Sequence, residues 1–193
     1  MKGQLIIVSA PAGAGKTTLV QMLKNEFPGK VTQSISCTTR SPRKGEIDGR
    51  DYIFLTEEAF KERIKRGDFL EHAIVFGGHY GTLKETVKSQ QEGGLDVVLV
   101  IDTQGALALK EKVKAIFIFI APPSMEVLEE RLKNRKTESL DTLKKRLKWA
   151  RHEMALAKHY DYTIINDDLD IAYDALKSIV IAEKHRKGGN HGA

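Results

Sequence analysis

The sequence predicts an α/β fold with a parallel central sheet covered on both faces, interrupted by an inserted, loop-rich α+β lobe. Three observations carry this expectation. Short β-branched apolar runs alternate with helically spaced apolar stripes, the pattern of strands joined by crossover helices. A glycine-rich turn joins the first of these runs to the first helix. The rhythm then breaks between about Val31 and Leu83, where glycines, prolines and charged residues take over.

The elements follow in order. Leu5–Ser9, Val97–Ile101, Ala115–Ile120 and Tyr162–Ile165 read as buried strands. Leu19, Met22, Leu23 and Phe27 recur at helical spacing until Pro28-Gly29 ends the segment. Inside the insertion, Tyr52-Ile53-Phe54-Leu55 precedes a short helix over Glu57–Arg66, which Gly67 stops. Gly77-Gly78 marks a further turn. The irregular segment Asn134–Ser139 joins two charged helices and is suited to a hinge. Leu140, Leu143, Leu147, Ala150, Met154 and Ala157 then form a 3/4-spaced stripe, with Ser139 as its expected N-cap. A last helix is expected from about Asp170 to Lys184, before a polar, glycine-rich tail from His185.

Composition narrows the class. The chain has 193 residues, enough for one domain carrying a small inserted lobe. Its longest apolar run, Ala115–Ala121, falls far short of the roughly 18–20 residues of a membrane span. Leu5–Val8 is likewise too short for the apolar segment of a signal peptide. Cys37 is the only cysteine, so no intrachain disulfide forms, which fits a reducing cytoplasm. The net charge of +5 favours anionic partners without choosing among nucleic acid, anionic lipid and phosphorylated metabolites. The six histidines show no metal-ligand spacing. Trp149 lies beside the apolar stripe and is expected to be partly buried.

The sharpest chemical signal is Ser9-Ala10-Pro11-Ala12-Gly13-Ala14-Gly15-Lys16-Thr17-Thr18. It follows a strand and opens a helix, the context a phosphate-binding P-loop requires. Small residues let the backbone wrap phosphate, and the helix N-terminus adds its positive dipole end. Lys16 is placed to reach the β/γ-phosphates, and the Thr17 hydroxyl to sit on Mg2+. The motif normally begins with glycine, whereas this chain has Ala10. Alanine resists positive φ, so that turn is expected to be modestly altered.

A P-loop implies a nucleoside triphosphate but not its acceptor. Arg40 and Arg43 present two guanidinium forks from one turn, suited to a bidentate grip on a phosphate monoester. Tyr52 and Tyr80 are placed to add phenolic donors. The plainer alternative is a solvated basic loop that includes Lys44 and Arg50.

The ordered set of motifs resembles the guanylate kinase family. The run Ser36-Cys37-Thr38-Thr39-Arg40-Ser41-Pro42-Arg43, with Gly45-Glu46, Gly49, Asp51-Tyr52 and Phe54, is similar to its monophosphate-binding lobe. So are Phe69-Leu70-Glu71, Tyr80-Gly81-Thr82 and Val100-Ile101-Asp102 with Gln104-Gly105. Arg131-Leu132, Arg135 and Thr137-Glu138 resemble the family's lid, and Tyr160-Asp161-Tyr162 to Asn166-Asp167 its closing strand.

The resemblance implies a P-loop kinase three-layer sandwich with a helical lid. Its core would be 1–33, 84–124 and 158–193, its GMP-binding lobe 34–83 and its lid 125–157. It implies ATP and GMP, with dGMP, as substrates, Mg2+ as cofactor, and no nucleic acid, membrane or protein partner. Residues 10–18 would bind ATP. Glu71 and Asp102 would accept hydrogen bonds from guanine, with Ser36 and Thr82 near its other edge, while Arg40, Arg43, Tyr52 and Tyr80 hold the GMP phosphate. Lys16, Arg40, Arg135 and Arg146 would be catalytic, with Arg131 a weaker lid candidate.

Guanine chemistry agrees, since N1–H and N2–H2 are donors that need acceptors opposite. Many family members carry an acid where this chain has Val100. Ordering of magnesium-bound water then falls to Thr17, Asp102 or solvent. Asn166-Asp167-Asp168 either approaches adenine or serves as a cap or turn. The rival readings are a related kinase for another phosphorylated acceptor and a non-catalytic binding module of this fold. The intact Lys16, Thr17, Arg135 and Arg146 argue against the module.

Overall fold

The computed structural model describes residues 2–134 and 140–186. Its centre is a five-stranded, wholly parallel sheet. In chain order its strands are β1 (Leu5–Ser9), β2 (Val31–Gln33), β7 (Asp96–Val100), β8 (Ile116–Ala121) and β9 (Tyr162–Ile165). Across the sheet the order is β2-β7-β1-β8-β9. Leu5 lies opposite Val97, and Ile6 opposite Ile116.

Side chains alternate across a strand, so each inner strand feeds two cores at once. Ile6 and Val8 pack with Leu19, Val20 and Leu23 of α1 (Lys16–Glu26) and Leu176 and Val180 of α7 (Leu169–Lys184). Leu5 and Ile7 pack on the other face with Val87 of α3 (Lys84–Glu92) and Ala106 and Leu109 of α4 (Thr103–Leu109). The three layers follow from that alternation.

The insertion has its own sheet. Strands β3 (Cys37–Thr38), β4 (Ile53–Phe54), β5 (Phe69–Val75) and β6 (Gly78–Leu83) take the order β4-β3-β6-β5. Its small core gathers Cys37, Phe60 and Phe69. Cys37 is thus core packing, and burial pushes its thiol up to about 11. Helix α2 (Glu57–Arg66) starts at Thr56, whose hydroxyl accepts from the Ala59 amide at 3.2 Å, and ends at left-handed Gly67. Beyond β8, α5 (Met125–Asn134) and α6 (Leu140–Leu156) pack through Leu128, Leu132, Leu143 and Ala150. The expected cap Ser139 lies outside the described residues. No helix among the described residues is long and apolar enough to cross a membrane.

Two strands, Leu5–Ser9 and Tyr162–Ile165, have the expected bounds; the two others shift by one residue. Strand β2 was not expected, because three residues with two polar side chains make no apolar run. Helix α3 buries only Val87, so it leaves no stripe to read. Helix α4 spans only seven residues, too few for a periodic signal.

Phe60 is fully buried and stacks on Phe69 with ring centroids 4.5 Å apart. Phe60→Ala is expected to destabilise the fold by about 3–5 kcal/mol. Urea denaturation followed by circular dichroism measures it.

Candidate active site

The P-loop leaves the end of β1 and enters α1 through two left-handed glycines, Gly13 at φ 93° and Gly15 at φ 92°. Gly15 is irreplaceable on steric grounds as well. A Cβ there would sit 2.1 Å from the Asn166 amide nitrogen. Buried Asn166 donates that amide to the Ala14 carbonyl at 2.8 Å, while its backbone N–H donates to Ala121. The end of β9 therefore braces the loop. Ala10 has no positive φ and lies in the core.

Helix α1 begins without a side-chain cap and without an acid in its first turn. Its uncompensated N–H groups and dipole are left for an anion. Thr17 and Thr18 are exposed there. The Lys16 ammonium donates to the Ile101 carbonyl at 3.4 Å. Burial lowers its pKa, opposed by the charges of Glu153 and Asp102.

These groups open onto a cleft of about 220 Å3 that Asp102, Phe76, Arg146, Trp149 and Glu153 also line. Half-buried Trp149 thus borders the cleft as well as packing in α6. Sequence reading passed over Glu153 and Phe76. Glu153 carried a usable signal: it sits three residues after Ala150 and four before Ala157, an acid within an apolar stripe. It is buried, and desolvation pushes its carboxyl up to about 7 against the pull of Lys16. Arg131 is not among the residues lining this cleft. Arg135 lies outside the described residues. Val100 packs against the core.

The base-reading candidates meet over Gly105. A Cβ there would stand 2.5 Å from Glu71 Oε2 and 3.2 Å from Asp102 Oδ1. Glu71 faces Thr82 across β5 and β6 and accepts its hydroxyl proton at 2.7 Å. Burial pushes the Glu71 carboxyl up to about 7, with Asp102 adding to the rise and Thr82 opposing it. Asp102 caps α4 by accepting from the Gly105 amide at 3.0 Å. The cap role and the cleft role therefore coexist in one side chain.

Arg40, Tyr52 and Tyr80 also converge. Arg40 donates to Tyr80 at 3.2 Å and stacks over the Tyr52 ring at 5.3 Å. Glu46, not singled out from sequence, takes the Arg40 guanidinium through both oxygens at 2.8 and 3.0 Å. The Arg43 amide donates to the same carboxylate at 2.7 Å, and its side chain is exposed. Half-buried Ser36 lies just before β3, its carbonyl accepting from Ile53. Asp168 caps α7, accepting from the Asp170 and Ile171 amides, both at 3.0 Å.

Glu71 and Glu153 bind protons more tightly folded than unfolded. Their contribution to stability is present below the ordinary carboxylate range and is lost as pH rises through about 7. Without nucleotide, Glu71→Gln and Glu153→Gln are each expected to lose less melting temperature than the wild type between pH 6 and pH 8. Thermal melts across that range measure the difference.

A family model described as guanylate kinase matches residues 2–183. A guanylate kinase of Protochlamydia amoebophila is 56% identical over 185 residues, covering 96% of this chain and 93% of that protein. One from Caldanaerobacter subterraneus is 49% identical over 190 residues, covering 98% and 92%. The crystal structure of guanylate kinase from Anaplasma phagocytophilum superposes with a TM-score of 0.78 at 34% identity, covering 99% of this chain and 91% of that one. By that family match and these identities over nearly its whole length, the chain belongs to the guanylate kinase family.

Proposed function

We propose that this chain transfers the γ-phosphoryl group of MgATP to GMP, and to dGMP, giving ADP with GDP or dGDP. One observation supports the acceptor most directly: Glu71 and Asp102 converge over Gly105 from different elements, with Thr82 bound to Glu71. Two acceptor groups this close gain most from a ligand edge that carries donors. Guanine N1–H and N2–H2 form such an edge, whereas adenine turns an N1 lone pair toward it.

In the reaction a GMP phosphate oxygen attacks the γ-phosphorus, and the bond from that phosphorus to the β-bridging oxygen breaks, releasing ADP. Phosphoryl transfer asks the protein chiefly for alignment and for charge opposite the oxygens. Residues 10–18 wrap the triphosphate, and Lys16 supplies positive charge to it. Arg40 and Arg43, with Tyr52 and Tyr80, hold the acceptor phosphate, Glu46 keeping Arg40 in place before GMP arrives. Arg146 and Arg135, from a lid over 125–157, balance charge on the transferring group. Residues 34–83 act as the acceptor lobe of a single domain, and closure of the two lobes excludes water.

The residues also fit magnesium. The described residues hold no group of three or more His, Cys, Asp or Glu suited to a metal. The exposed Thr17 hydroxyl and the Asp102 carboxylate line one cleft, hard oxygen donors of the kind magnesium takes beside phosphate oxygens and water. The Thr17 hydroxyl would hold it, with Asp102 acting through water. Bound with ATP, it neutralises charge on the β- and γ-oxygens. Buried Cys37, alone in the chain, supports a cytoplasmic setting.

The experiment is ADP release from MgATP with GMP, dGMP, AMP, UMP and CMP offered separately. Activity confined to guanine nucleotides is expected; equal activity on AMP overturns the guanine assignment. Lys16→Ala and Arg40→Ala are each expected to cost at least about a hundredfold in kcat/KM while circular dichroism stays unchanged. Gly105→Ala pushes aside the Glu71 carboxylate in an otherwise favourable helical substitution. It should raise the KM for GMP about tenfold or more, with the melting temperature preserved and the KM for ATP unmoved.

A further inference from the structure

The β5–β6 hairpin turns at Phe76-Gly77, with Val75 paired opposite Gly78. Both turn residues have positive φ, 48° and 84°. A two-residue turn of that kind matches the twist of its strands and is ordinarily filled by Asn, Asp or Gly. Phe76 is the sole non-glycine residue with positive φ among the described residues. A bulky side chain is sterically disfavoured in that conformation. Burial does not offset the strain, because Phe76 is 59% exposed.

What the ring touches is the reaction cleft. Val75 and Phe76 line it together with Lys16 and Asp102. The Arg146 guanidinium carbon lies 5.5 Å from the Phe76 ring centroid, within cation–π range. The strand that leaves the turn touches the other phosphate grip. A Cβ on Gly78 would stand 3.4 Å from both Arg40 Cβ and the Tyr80 ring. The His79 carbonyl accepts from the Thr38 hydroxyl at 2.9 Å and the Thr39 amide at 3.1 Å, immediately before Arg40. One short hairpin thus contacts Arg146 at its turn and Arg40 on the strand just past it, where Tyr80 accepts from the guanidinium.

We propose that Phe76 is a positioning residue for Arg146. Its ring face holds the guanidinium at the cleft, and the hairpin ties that placement to the seating of the acceptor phosphate at Arg40. Backbone strain kept at such a point, without burial to offset it, is accounted for by function. The inference rests on reading Arg146 as the group that balances charge on the transferring phosphoryl.

Steady-state kinetics of the wild type, Phe76→Gly, Arg146→Ala and the double variant test it. Glycine suits the positive φ, so Phe76→Gly keeps the turn and should not lower the melting temperature. Its kcat is expected to fall about tenfold, with the KM for GMP unchanged. Phe76→Leu, which keeps apolar bulk without a π face, should lose kcat equally, and Phe76→Tyr should retain it. In the Arg146→Ala background, Phe76→Gly should make no further difference. Wild-type kcat in Phe76→Gly, or losses that multiply independently of Arg146, overturns the positioning role and leaves the assigned reaction standing. Wild-type kcat in Arg146→Ala overturns the reading of Arg146 itself, and the positioning role with it.

Discussion

Five parallel strands end along one edge of a single sheet, and the chemistry of this molecule enters from that edge. The segment after β1 is the phosphate loop, the one after β7 carries Asp102, and the one after β9 carries Asn166. Parallel strands need crossovers, and those crossovers place every strand terminus of one polarity side by side. Residues far apart in sequence become neighbours for that reason alone. Both faces of the sheet are occupied by helices, so a site for a large anion forms at the end of the strands.

Charge at that edge is arranged by burial more than by direct pairing. Lys16 loses water and becomes a weaker base, while Glu71 and Glu153 lose water and become weaker acids. Each shift opposes the charged form, so the site is electrostatically unsatisfied until a ligand arrives. In the proposed complex a polyphosphate would supply anionic oxygens to the loop and Lys16. There a guanine edge would supply donors to Glu71 and Asp102. Affinity and selectivity then have one origin, the relief of desolvation by the matching group.

Much of this was legible from residue order. Gly13, Gly15 and Lys16 between a strand and a helix have few other uses, and the spacing of Leu143, Leu147, Ala150 and Met154 defined α6. The family motifs then named Glu71, Thr82 and Asp102 before any geometry was at hand. Other features stayed hidden for physical reasons. Strand β2 is held by its neighbour β7 rather than by its own apolar content, so no local pattern announces it. Glu46 entered only as one residue of the family-like run, and its hold on Arg40 shows once the fold brings the two together. Phe76 reads as an ordinary strand aromatic, because backbone strain is a property of the hairpin and not of the residue type. Asn166 was placed at the end of the closing strand, near adenine or in a cap or turn, but its brace on the phosphate loop stayed hidden because its partner stands 152 positions earlier in the chain.

That last separation bears on how the protein is made. Synthesis runs from the N-terminus, and Ala14 leaves the ribosome long before Asn166 is added. Until strand β9 emerges and docks beside β8, the loop lacks the amide that fixes its Ala14 carbonyl and the wall that Gly15 abuts. A partly made chain therefore carries every residue of the phosphate motif without its finished shape. The phosphate loop takes its finished shape only once β9 has docked and Asn166 holds the Ala14 carbonyl.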